Sequence, residues 1–147
     1  MSIVMTDEIV EHVNGAGMAG NPLLLATADA TGKPRLSFRG SVQVFSDGQL
    51  GFWARNVEGA TMEAIKVNPQ VALMYRSPAQ RVFLQFEGKA RVVGGADRDK
   101  IYDQAPEPER KADPDRKGVA VLIDLDAVAG MLGMDAEGKP RRLTLSA

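Results

Sequence analysis

Arg39, Ser41, Arg55 and Thr61 are the residues whose types and spacing suggest chemistry in this chain. A guanidinium offers a planar fork of donors that matches an oxyanion, and a hydroxyl or a helix N-terminus adds donors aimed at the same kind of group. They converge only if the chain reverses between them. Val42, Val44 and Phe45 precede Ser46-Asp47-Gly48-Gln49, and Asp-Gly is a strong hairpin signal because glycine takes the positive φ of a tight turn. A second strand, Leu50 to Ala54, should therefore return antiparallel and bring Arg39 and Ser41 close to Ala54 and Arg55. Beyond the polar loop from Asn56 to Ala60, Thr61 is the expected N-cap of a short helix that turns Met62 and Ile65 inward. Two guanidinium groups, a hydroxyl and a helix start would then hold a phosphate dianion.

Other chemistries find little support. Cysteine is absent, so there are no thiol nucleophiles, disulfides or thiolate-bound zinc, which is compatible with a reducing compartment. His12 is the only histidine and excludes a histidine metal cluster; no metal site is expected. No glycine-rich nucleotide loop follows a strand and no hydrolase triad is visible. Charge is nearly balanced, 18 Lys+Arg against 19 Asp+Glu, so no broad basic field argues for nucleic acid and any anion site must be local. The start, MSIVMTDEIVEHV, is broken by acids and lacks a basic opening, which does not fit a signal peptide, and no apolar run approaches the ~20 residues of a membrane span. A soluble, cytoplasmic protein of one domain covering all 147 residues is expected.

The elements that must position those residues follow in order. Thr6 caps a first helix, with Asp7 and Glu8 in its opening turn and Ile9, Val10 and Val13 as its apolar stripe. Leu23 to Ala28 reads as a central strand. Pro34 to Phe38 begins another that should continue, with a bend near Gly40, to Phe45. After Asn68-Pro69 stops the short helix, Val71 to Tyr75 is a strand, and Arg81 to Val93 is one bent strand or two, with Gly88 as the bend. Ala96 to Gln104 is expected to be helical with Ile101 and Tyr102 inward. Ala105 to Lys117, with three prolines and alternating charges, reads as an exposed loop or broken helical turns. Val119 to Leu125 is a last core strand, and Arg141 to Ala147 a small edge strand. Antiparallel turn signals without long alternating helices point to a mainly β fold, a small β-barrel with peripheral helices.

Three pieces in order, LATADATGKPRLSFRGSVQVF, DGQLGFWAR with a helix ending IKVNPQVALMY, and VFLQFEGKARVV, resemble the FMN-binding split-barrel family related to pyridoxamine 5'-phosphate oxidase. The resemblance runs from Leu23 to Val93 and implies a six-stranded antiparallel split barrel, a homodimer and FMN at the dimer interface. By that resemblance Arg39 opens the flavin-contacting strand, Gly40, Ser41 and Val42 lie along the isoalloxazine, and Trp53 and Ala54 stand on the returning strand. Thr61 falls in the phosphate cluster. Where the oxidase carries adjacent Arg and Lys in the loop, this chain has Ala60 and Thr61, with Arg55 as the replacement charge; Val44 stands in place of a second basic residue.

The same residues have plainer readings. Arg39 and Arg55 suit a solvated barrel rim, Thr61 a helix cap, Trp53 core or dimer packing, and His12 a surface boundary. Lys89 and Arg91 read as the wet face of a strand, and Asp124 and Asp126 as strand-end polar residues. The resemblance implies a flavin-dependent oxidoreductase acting on a small molecule and an electron donor, with no residue assigned as catalytic. Two alternatives keep the barrel: a deazaflavin-dependent reductase, whose cofactor tail would use exposed arginines or Lys33, and a non-catalytic binding or stress-response module. The Ala105 to Lys117 segment would gate the opening.

Overall fold

The computed structural model describes residues 2–147. Its elements are α1 (Asp7–Gly15), β1 (Leu23–Ala28), β2 (Pro34–Arg39), β3 (Gln43–Ser46), β4 (Gln49–Ala54), α2 (Ala60–Val67), β5 (Gln70–Ser77), β6 (Val82–Val93), α3 (Gly95–Gln104), α4 (Glu107–Ala112), β7 (Val119–Met134) and β8 (Pro140–Ser146). The expected mainly β architecture with peripheral helices is present, with eight strands rather than six. All pairings are antiparallel, and the strand order is β2-β1-β5-β6-β7-β4-β3, with β8 added beside β7.

The split arises at β7. Its first half, Val119 to Asp124, pairs with β4; its second half, from Ala127 onward, pairs with β8; β6 runs along the other edge of both. The strand therefore continues well past Leu125, where the apolar run ends. Gly130 and Gly133 make that second half a poor strand former by composition, and pairing on both sides holds it extended.

β2 and β3 stand at opposite ends of the strand order although only Gly40 to Val42 separate them. The continuous strand expected from Pro34 to Phe45 is thus two strands, and the corner between them curls the sheet into a barrel. Inside lie Leu23, Leu25, Leu50, Phe52, Leu73, Leu84, Phe86 and Ile123, closed at one end by Ile9 and Val13 of α1. Thr6 caps that helix, its Oγ1 accepting from the Ile9 amide at 3.4 Å.

Strand alternation builds a second core on the outer face of β4 and β7. Phe52 and Val121 point into the barrel, whereas Trp53, Ala120 and Leu122 pack outside it against Ile101 and Tyr102 of α3. Both faces of β7 are covered here, which is why Val119 to Ile123 reads as an unbroken apolar run. Gly88 sits at a register shift in β6, the expected bend, and a Cβ there would run into the Asp124 carbonyl.

The hairpin at Asp47-Gly48 forms, but Gly48 does not take the expected positive φ. Glycine is needed there for close approach instead: a Cβ would stand 2.9 Å from the Ile3 carbonyl oxygen. The N-terminal segment crosses the turn, with the Met5 amide donating to Asp47 O at 2.9 Å. The edge of β3 is protected by α1, whose Asn14 Oδ1 accepts from the Val44 amide at 2.8 Å.

Candidate functional site

The corner at Gly40, the end of β4 and the first turn of α2 meet in one place. Arg39, the last residue of β2, is half-buried, and its Nη2 donates to Thr61 Oγ1 at 2.9 Å while its Nε donates to Ser37 Oγ at 3.1 Å. Its guanidinium lies 5.5 Å from the centroid of the Phe52 ring. Burial lowers the Arg39 pKa, with Glu109 opposing that shift and the Arg55 charge adding to it. Arg39 and Arg55 line one cleft of about 250 Å³, whose wall includes Phe38, Gly40, Ser41 and Asn56. The hairpin thus brings together the two arginines and the hydroxyl that are far apart in sequence.

Thr61 is not the helix cap. α2 is capped by Gly59, in extended conformation and without a side-chain hydrogen bond, and Thr61 lies within the first turn. Just before the helix, Asn56 Oδ1 accepts from the Glu58 amide at 3.2 Å, and its side chain packs close to Gly59, where a Cβ would lie 2.9 Å from Nδ2. The displaced hydroxyl is free to orient Arg39.

Four other sequence candidates are placed differently from an exposed ligand surface. Ser41 is buried and fully engaged: its Oγ donates to Trp53 O at 3.1 Å and accepts from Trp53 N at 2.9 Å, pinning the corner to β4. Val42 and Ala54 are core residues. Trp53 is buried edge-on to Tyr102, ring centroids 5.0 Å apart, and its Nε1 donates to Asp113 Oδ2 at 2.9 Å. The side chains of Val42, Trp53 and Ala54 serve packing because inward and outward faces of these strands are both covered; what they can offer a ligand is backbone. Gly40 offers only backbone at the corner, with the Glu109 carboxylate lying over it.

Glu109 was not legible as part of this site. It belongs to α4, a short helix within the segment read as an exposed loop or broken helical turns, and its carboxylate enters the cleft, with Oε2 3.8 Å from Arg55 Nε. α4 is held by the buried Asp113, which also accepts from the Lys117 and Gly118 amides at 3.0 and 2.8 Å, and by the Tyr102 hydroxyl, which donates to Asp113 O at 3.0 Å. Burial pushes the Asp113 carboxyl up, but the hydrogen bonds from Trp53, Lys117 and Gly118 outweigh it, and its pKa falls below the ordinary value.

Elsewhere Lys89 and Arg91 are exposed on β6 as expected, whereas Asp124 lies within β7 rather than at a strand end. His12 Nδ1 lies 3.2 Å from the Tyr75 hydroxyl, and Asp124 accepts from Arg91 Nε at 2.8 Å and from Gln49 Nε2 at 2.7 Å. Among the described residues there is no cluster of metal-ligating side chains and no helix long and apolar enough to cross a membrane.

Fold and cleft together define a split β-barrel with two arginines lining a cleft at its closing corner. The profile of the pyridoxamine 5'-phosphate oxidase family matches residues 5–127, and the chain belongs to that family. No protein of curated function matches it by sequence. Among solved structures it is similar to a pyridoxamine 5'-phosphate oxidase-related, FMN-binding protein from Nostoc punctiforme, with TM-score 0.69, 12% identity and full coverage of both chains. It is similar also to HupZ of Group A Streptococcus, with TM-score 0.65, 20% identity, and coverage of 87% of this chain and 94% of that one. An F420 reductase gives TM-score 0.62, 21% identity, and coverage of 86% and 98%. At these identities the likeness is one of fold.

Proposed function

We propose that the chain is an FMN-binding, flavin-dependent oxidoreductase of small molecules that works as a homodimer. The observation that carries this reading is the convergence of Arg39 and Arg55 on one cleft at the barrel corner, with Arg39 held from behind by Thr61 Oγ1. The donor set fits a phosphate monoester: two guanidinium groups for the anion, one of them preset by the Thr61 hydroxyl, and backbone at Gly40. The Glu109 carboxylate, 3.8 Å from Arg55 Nε in the same cleft, supports reading these groups as suited to an oxyanion. The flavin supplies the redox chemistry when bound. Arg39 and Arg55 anchor its phosphate, and the strand backbone from Gly40 to Val42 borders the ring.

Dimerisation is supported by the outer face of the sheet. Phe38 and Leu36 are 69% and 67% exposed, and register places Phe38 beside Leu24 and Leu24 beside Met74, an apolar row across β2, β1 and β5. Such a face is suited to a self-complementary interface. Phe38 borders the Arg39 cleft as well, which supports a cofactor site beside that interface.

The test is the visible spectrum of the protein as purified, followed by titration with FMN. Flavin bands and release of FMN on denaturation are expected. A colourless protein that binds no FMN overturns the reading; if it binds a deazaflavin instead, the reductase alternative replaces it, and if it binds neither, a barrel without redox chemistry remains.

A further inference from the structure

We propose that Glu109 is a built-in competitor for the anion cradle, held over the corner by α4 so that an incoming phosphate must expel its carboxylate. This rests on reading the cleft as a phosphate site. The carboxylate lies directly on the cradle floor: a Cβ on Gly40 would stand 2.5 Å from Glu109 Oε1. It also sits within ion-pair range of Arg55 and acts electrostatically on Arg39. Both charges intended for a ligand are therefore shared with a resident acid.

The placement is specific to one residue of α4. Glu107, on the same short helix, points outward with a 63% exposed side chain and pairs with Lys111 at 2.8 Å. The Glu109 side chain is 24% exposed and has Arg55 as its ion-pair partner. The helix itself cannot drift off the corner, because Asp113 ties its end to Trp53 on β4 and to the Lys117 and Gly118 amides, and Arg110 Nη1 donates to the Ala105 carbonyl at its start. The backbone is fixed and the side chain alone can leave. A phosphate dianion and a carboxylate between the same two guanidinium groups repel one another, so occupancy is exclusive. The device sets a threshold that favours ligands with a full phosphate over weakly anionic ones.

Glu109→Gln removes the charge and keeps the shape, and Glu109→Ala removes the side chain altogether, each checked by its melting curve. Titrations with FMN, riboflavin and inorganic phosphate at low ionic strength read the effect. The Gln variant is expected to bind FMN and inorganic phosphate about two- to fivefold more tightly, the range set by an exposed ion pair, with riboflavin unchanged because it lacks the phosphate. Equal FMN affinity in wild type and variant overturns the proposal. So does weaker binding, which would make Glu109 a ligand contact, or an equal gain for riboflavin. If no form binds FMN, the functional reading fails separately, and the phosphate titration still decides whether Glu109 competes: a tighter variant supports the proposal and an unchanged one sinks it.

Discussion

Replacing Arg39 by alanine separates a binding role from a folding role. In the folded protein the side chain makes two hydrogen bonds, to Thr61 Oγ1 and Ser37 Oγ, and lies against Phe52. Arg39 is only half-buried, so water can reach the abandoned hydroxyls, and the folding loss is about 1–2 kcal/mol including the ring contact. For a chain of this size that lowers the melting temperature by roughly 2–8 °C. A charge-assisted contact to phosphate contributes about 1.5–3 kcal/mol, so FMN affinity should fall roughly 10- to 150-fold. Arg39→Lys keeps the charge but not the fork that reaches both Thr61 and a ligand, and it should fall between. Flavin fluorescence quenching reads the affinity and thermal unfolding the stability. An Arg39→Ala variant that melts several degrees lower yet binds FMN as well as wild type would refute the cradle and return Arg39 to the barrel rim.

Three further outcomes are expected. Asp113→Asn, with its acceptors weakened for Trp53 Nε1 and two amides, should cost about 1–3 kcal/mol at neutral pH. Because the folded Asp113 pKa is depressed, its contribution is present above the unfolded carboxyl value of about 4 and is lost as pH falls through the folded value. Denaturant midpoints of wild type and variant should therefore converge in acid, and a gap independent of pH would exclude the charge as its cause. Gly88→Ala forces a methyl against the Asp124 carbonyl where β7 bulges opposite Gly88 and should cost on the order of 1–3 kcal/mol by denaturant titration; a neutral result would mean the strands part there without penalty. Phe38→Glu puts a charge into the exposed apolar row and should convert a dimer into a monomer in sedimentation, with flavin retention reduced alongside; an unaltered dimer would place the interface elsewhere.

Local chemistry made much of the fold legible. Thr6 caps α1, the helix over Gly95–Gln104 buries Ile101 and Tyr102, and Gly88 marks the bend in β6, each because the cause lies within a few residues. Failures came where distant chain decides. Gly48 was expected to serve a left-handed turn and instead makes room for Ile3, forty-odd positions earlier. Thr61 was expected to cap α2, but the helix starts at Ala60 with Gly59 as its cap. β7 runs on through a glycine-containing stretch since β6 and β8 hold it on both edges.

For the site, residue types and one hairpin signal were enough to pair Arg39 with Arg55 and Thr61, because a two-residue reversal and the pleat determine which strand ends meet. Which faces of those strands stay open was decided only in three dimensions. Trp53, Val42 and Ala54 went to packing once α3 covered the outside of β4 and the barrel closed on its inside. Glu109 reached the cleft through a segment whose composition marks it as solvated, carried there by one buried aspartate on a tryptophan indole. Sequence carries short-range causes such as turns, caps and alternation, whereas the neighbours that arrive across the fold determine what a side chain faces.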